Sequence, residues 1–471
     1  MFPGTWGYQS DYPEAIRSVS SIFPDQFIGE FLSFQPGWRN ILNHGRIANQ
    51  FLNTGLVFNG ITCPLSPQTT LGWIPLIRQN IEFSNEPEEA WWGSQASSSS
   101  VYLTTPAFSN CLRTKYILSS GWPSAAGIAF SIQDHNSNLE ASYQNFFSNN
   151  INHNVLTGWS ILVNNNIYTS QLIKFEDAIY SSKSIWNERW TVAYLKFQWN
   201  LGSFQTIKLK PYVQYANMNA SQVTEEGAIF DYGLNFGSII ESGWRGEGKF
   251  DHGLNSSFLR SASFQNYQIF NILGMFELDD ILRWDFQDFQ HPSFSSSFGV
   301  KKNFKSICLF STFDQATIPF NILERSIGIS IGITSNLKFK IKFLNGFASS
   351  QIYDGYEINV KNVIFMDRTF FLKKAFLNVT ERIIKTSNDG WTSDMGGEIR
   401  LTASHKISFE WIGRALIDQQ LFSEFEINKN IYHNTVISLS WLNEWPIFEN
   451  LNTLTPFAGK TFLIQLKSQI D

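Results

Sequence analysis

SIGISIGITSNLKFKIKFL, residues 326–344, is the stretch whose reading decides the fold. Ile327, Ile329, Ile331 and Ile333 alternate with Gly328, Ser330, Gly332 and Thr334. After a Ser335-Asn336 turn, Leu337, Phe339, Ile341 and Phe343 alternate with Lys338, Lys340 and Lys342. Successive side chains of a strand point to opposite faces, so this hairpin has one apolar wall and one polar wall. Each arm has about ten residues, the length a tilted strand needs to cross a bilayer. A lysine on a lipid-facing wall would cost about 2–4 kcal/mol at the bilayer midplane. The lysine row therefore faces away from lipid, and the isoleucines and phenylalanines face it.

The same alternation recurs along the chain. Ala193, Leu195, Phe197 and Trp199 oppose Tyr194, Lys196 and Gln198; after Gly202-Ser203, Ile207, Leu209 and Val213 oppose Lys208, Lys210, Tyr212 and Gln214. Pro211 removes one ladder donor from that second strand, so a bulge is expected there. Leu282, Trp284 and Phe286 alternate with Arg283, Asp285 and Gln287, and Ile407, Phe409 and Trp411 with Ser408 and Glu410. In lipid every backbone polar group needs a partner within the protein, which a sheet achieves only by closing. The expected fold is all-β: a closed antiparallel transmembrane β-barrel of about 18 strands, within a range of roughly 16 to 22.

Composition agrees. Charged residues make up 16 % of the 471, against roughly 25 % in typical soluble domains, and aromatics another 16 %. The formal charge of −5 comes without a basic stripe, so no nucleic-acid partner is expected. Three cysteines without CxxC spacing offer neither a disulfide framework nor a zinc site. No HExxH or Walker motif and no GxSxG nucleophile elbow occurs, the Gly328-Ile329-Ser330-Ile331-Gly332 match lying within an alternating strand, so neither an enzyme nor a cofactor is expected. The absence of a signal-like start leads us to expect a mature exported chain.

Residues 1–50 break the pattern. Phe27, Ile28, Phe31 and Leu32, and then Trp38, Ile41 and Leu42, have helical spacing, with Asp25 placed to cap and Gly37 to end a helix. The expected organisation is a lead-in or plug over 1–50 and a barrel over 51–471. Trp73, Trp122, Trp159, Trp190, Trp244, Trp391 and Trp445 lie near expected strand ends, where an aromatic girdle would stand.

The segments RWTVAYLKFQWNLGSFQTIKLKPYVQYANM (189–218) and GAIFDYGLNFGSIIESGWRGEGKF (227–250) resemble the major outer membrane porins of the chlamydia and legionella type. That resemblance implies a channel for small solutes and a structural role in the outer membrane. The expected function is a passive diffusion channel for small hydrophilic solutes; the alternative is a non-conducting barrel for envelope assembly or adhesion. Lys196, Lys208 and Lys210 form one inward basic strip, and Lys338, Lys340 and Lys342 another; Arg283, Asp285 and Glu410 complete the expected pore lining. Rings of cations in a pore favour anions. Expected partners are outer-membrane lipid and lipopolysaccharide, with small hydrophilic solutes. A homo-oligomer is compatible with a barrel, although nothing in the sequence encodes a subunit number.

Overall fold

The computed structural model describes the residues of 28 strands, together with residues 59–60, 63–64, 90, 201–204, 239, 306, 333–334, 336 and 387. Six strands form a sheet of their own. They are β1 (Trp38–Arg39), β2 (His44–Ile47), β3 (Gln50–Phe58), β4 (Ile61–Thr62), β5 (Asn80–Ser84) and β6 (Ser99–Thr104). Their order is β1-β2-β3-β6-β5, with β4 paired to β3. The β3–β6 pair is parallel, and the others are antiparallel.

The remaining strands make one closed antiparallel ring. It begins with β7 (Arg113–Trp122), β8 (Ala125–Gln133), β9 (Ser137–Phe147), β10 (Ile151–Asn164) and β11 (Ile167–Tyr180). It continues through β12 (Ser184–Asn200), β13 (Gln205–Met218), β14 (Ser221–Phe236), β15 (Ile240–Gly253), β16 (Phe258–Ile272) and β17 (Phe276–Gln287). Then come β18 (His291–Phe304), β19 (Ile307–Ala316), β20 (Ile322–Gly332), β21 (Leu337–Ala348), β22 (Gln351–Phe365) and β23 (Lys374–Thr386). The last are β24 (Gly390–Ser404), β25 (Ile407–Leu416), β26 (Leu421–Tyr432), β27 (Thr435–Trp445) and β28 (Gly459–Ile470). β28 pairs with β7, from Phe462↔Trp122 to Ile470↔Thr114, and that pairing removes both sheet edges.

The phase of the wall is the one the lysine row demands. On β21 Phe343 is 55 % exposed while Lys342 is 3 % exposed. Leu195, Val213, Phe230, Ile327, Ile352 and Trp441 stand exposed on the same outer face. Trp244, Phe264, Trp284 and Phe294 make successive ring contacts across β15–β18, with centroids 5.1, 6.0 and 5.8 Å apart. Apolar surface of this extent is favourable only in an apolar solvent.

Four expectations change. The ring has 22 strands, the upper end of the expected range rather than 18. Connections as short as residues 165–166, 219–220 and 349–350 let alternation run almost unbroken, so neighbouring strands read as one. The ring starts at Arg113, not at residue 51, because β3 and the short strands around it pair in the other sheet. Pro211 produces no bulge. The β12–β13 ladder lacks pairs only where Leu195 and Lys196 face Pro211 and Lys210, and it resumes in the same register, Phe197↔Leu209 after Tyr194↔Tyr212. In the segment expected to be helical, Trp38 lies in a strand; Asp25, Phe27, Ile28, Phe31, Leu32, Gly37, Ile41 and Leu42 lie outside the described residues.

Candidate functional site

The feature that brings distant parts of the chain together is the β3–β4 hairpin. Its turn is Asn59-Gly60, with φ of 49° and 83°. Both central residues of the tightest hairpin turn need positive φ, and Asn-Gly is the pair that tolerates it. Leu56, Val57, Phe58, Ile61 and Cys63 around the turn are all buried. Of these, Phe58 packs on wall residues Trp190 and Tyr194.

Three wall side chains hold the hairpin by its backbone. Lys210 Nζ donates to the Asn59 carbonyl at 2.8 Å, Arg245 Nη2 to the Gly60 carbonyl at 2.7 Å, and Gln214 Nε2 to the Thr62 carbonyl at 3.0 Å. Gln265 Nε2 likewise donates to the Ala90 carbonyl at 3.1 Å. A Cβ at Gly60 would stand 3.5 Å from Lys210 Nζ and 3.9 Å from Arg245 Nη2, so the turn nestles between the two cations. A charged donor on a buried acceptor contributes roughly 1.5–3 kcal/mol, about twice a neutral hydrogen bond.

Aromatic packing completes the dock. Phe58 meets Trp190 edge-on, centroids 6.5 Å apart at 85°, and Tyr194 at 6.4 Å and 63°. Trp190 is 0 % exposed, and its Nε1 donates to Gln214 Oε1 at 3.0 Å. Beneath, the Tyr212 hydroxyl lies 2.7 Å from Glu225 Oε1 and 2.8 Å from Glu247 Oε1, and Gln214 Nε2 also reaches Glu225 Oε1 at 2.6 Å. Lys249 Nζ sits 3.1 Å from Glu225 Oε2. These polar groups are thus paired within the protein, as burial requires.

The residues expected to line a pore are spread around the ring, on β12–β13, β17, β21 and β25. Lys210 is in the dock itself, and its Nζ lies 5.3 Å from the centroid of the Tyr194 ring. Lys196 and Lys208 stand half-buried on the same face. Arg283 is buried and forks onto Asp285, with Nε 2.9 Å from each carboxylate oxygen. On β21 exposure falls along the row. Lys338 is exposed beside the turn, Lys340 lies over the Phe310 ring at 4.7 Å, and Lys342 is buried 4.0 Å from Glu324. Glu324 in turn accepts from the Tyr353 hydroxyl at 2.7 Å. Glu410 on β25 is in register with Arg400 on β24, but its side chain lies outside the described residues.

Trp190 is a correction: it packs on the hairpin instead of standing in a girdle. Trp73 lies outside the described residues. The hairpin and the roles of Gln214 and Arg245 in holding it, and of Gln265 at Ala90, were missed in the sequence, although Asn59-Gly60 between apolar runs is the strongest short hairpin signal there is.

No family model matches the sequence, and no curated protein matches it. Solved structures do. A siderophore receptor from Pseudomonas aeruginosa superimposes with a TM-score of 0.71 at 12 % identity, over 95 % of this chain and 96 % of that one. The ferric-catecholate import receptor of E. coli gives 0.74 at 10 %, over 95 % and 94 %. The alcaligin outer membrane receptor of Bordetella pertussis gives 0.70 at 10 %, over 95 % and 92 %. The likeness is one of fold, and it corrects the functional expectation. Neither a porin-type diffusion channel nor an assembly or adhesion barrel fits, because these structures, which share the fold across nearly the whole chain, are a siderophore receptor, a ferric-catecholate import receptor and an alcaligin receptor. The porin resemblance of residues 189–250 likewise gives way to a different barrel type. With this fold and an apolar outer face, the chain is an outer-membrane β-barrel.

Proposed function

We propose that the chain is an outer-membrane uptake receptor, in which the six-strand sheet plugs a transmembrane 22-strand barrel and a small metal chelate is the cargo. The observation that carries this reading is the hairpin fixed to the polar face of the wall by Lys210, Gln214 and Arg245. A wall of this strand number encloses more space than a 16–18-strand porin, and in outer-membrane transporters of 22 strands a plug fills it. A solute can then pass only if the hairpin moves, which makes transport a gated event. The cargo class follows the neighbours, whose names specify siderophores and ferric catecholate.

The site of capture lies between the inner wall and the small sheet. Connections between successive ring strands range from two residues to the thirteen of 446–458. In this reading wall side chains and the small sheet supply the contacts.

Radio-iron uptake tests the reading. A Gram-negative host stripped of its own ferric-chelate receptors, expressing this chain, should accumulate iron from at least one of three chelate classes: catecholate, hydroxamate or carboxylate. Correct insertion is checked by the altered gel mobility of unboiled protein. Inserted protein that takes up and binds none of the three would refute the receptor reading.

A further inference from the structure

The cations of the inner wall are unevenly placed. Lys196 on β12, Lys208 and Lys210 on β13, and Arg245 on β15 share one patch. The described groups acting electrostatically on Lys210 are Arg245, Asp231, Lys196 and Lys208, and Glu241 acts on Lys208 as well. Among the described groups these four cations face three carboxylates: Asp231, which stands 3.9 Å from Arg245, Glu241, and Glu247, on which Arg245 also acts. Like charges gathered away from bulk water repel strongly, and an added anion relieves that repulsion.

Two of the four already hold oxygen atoms. Lys210 and Arg245 donate to the carbonyls of Asn59 and Gly60, the two residues of the hairpin turn. A carbonyl oxygen carries only a partial charge. An ionised carboxylate or phosphate oxygen is a stronger acceptor for the same donors, and a guanidinium can take two such oxygens at once.

We propose that Lys196, Lys208, Lys210 and Arg245 form a binding site for a multivalent oxyanion, and that the anion frees the hairpin by taking Lys210 and Arg245 from the Asn59 and Gly60 carbonyls. Binding and docking are then reciprocal: the anion loosens the hairpin, and the docked hairpin weakens the anion's grip by the same factor. The proposal rests on the receptor reading only in taking the anion to be the charged part of the imported chelate.

Cys63 supplies the probe, because it ends the hairpin and is 1 % exposed. With Cys111 and Cys308 changed to Ser, maleimide labelling of Cys63 in detergent reports how often the hairpin is free. Iron-free citrate is compared with chloride at equal ionic strength. Citrate should raise the labelling rate about tenfold, a population shift corresponding to about 1.4 kcal/mol. Lys196→Gln with Lys208→Gln should abolish the rise, and Lys208→Gln alone should reduce it. Lys429→Gln, on exposed ground in β26, should keep it. Equal rates in citrate and chloride would overturn the proposal, as would a rise that persists in the double variant. If ferric chelates are imported but citrate leaves Cys63 unmoved, this inference falls and the receptor reading stands. Conversely, a citrate response in a chain that imports no chelate sustains the anion site and removes the receptor reading.

Discussion

Deleting residues 1–110 should convert a barrel that is silent in a planar bilayer into one that opens in large conductance steps. The ring does not need the small sheet in order to close, since β28 pairs with β7 and every strand between them has two partners. What the deletion removes is the hairpin together with its anchors: three side-chain-to-carbonyl bonds and the Phe58 contacts with Trp190 and Tyr194. Barrel diameter grows roughly linearly with strand number, and already at 16–18 strands an aqueous channel is left. Replacing Phe58 with Ala should leave the full chain silent, because the backbone bonds persist. If the full-length chain conducts as readily as the shortened one, the hairpin does not occlude the barrel.

Gly227→Val should destabilise the barrel by about 3–6 kcal/mol, combining overpacking with the loss of a charged hydrogen bond. Gly227 faces Tyr212 across the β13–β14 ladder. The tyrosine ring lies so flat over the glycine that a Cβ there would come within 2.6 Å of Tyr212 Cζ and its hydroxyl. The ring cannot swing aside cheaply, because its hydroxyl is engaged by Glu225 and Glu247. Moving it would take its hydroxyl from buried Glu225 and half-buried Glu247 and undercut Gln214, which holds the hairpin. Tyr212→Phe keeps the packing and loses only the hydroxyl, so its cost should be about 1.5–3 kcal/mol. Adding Tyr212→Ala to Gly227→Val reopens the space and should recover part of the loss. Guanidinium unfolding in detergent, followed by aromatic circular dichroism, measures all three. A Gly227→Val protein as stable as the parent would show that the close approach has no energetic weight.

The wall was legible from residues 326–344 because period-2 alternation has one physical consequence: it assigns each side chain to a face. The lysine row then chose which face meets lipid, and Lys342 and Phe343 stand as that choice requires. What alternation cannot say is what the polar face meets. Lys210 and Gln214 are satisfied equally well by water or by the carbonyls of Asn59 and Thr62, and both outcomes leave the same residue pattern. That ambiguity produced the porin reading. It also misled at Trp190, whose indole has the same use for Gln214 Oε1 that it would have for a lipid headgroup. β3 was absorbed into the barrel for a related reason, since its pairing in another sheet is a long-range fact. The Asn59-Gly60 turn was readable; where it docks was not.

Cross-linking tests the docked hairpin most directly. With Cys63, Cys111 and Cys308 changed to Ser, Thr62→Cys and Gln214→Cys would stand where the Gln214 amide now lies 3.0 Å from the Thr62 carbonyl, across 152 positions of sequence. A short bis-maleimide applied to the folded protein should join them within one chain, visible as a mobility shift that survives boiling. Efficient single labelling of both cysteines without any intramolecular link would mean that the hairpin does not sit on the wall, and the plugged receptor would go with it.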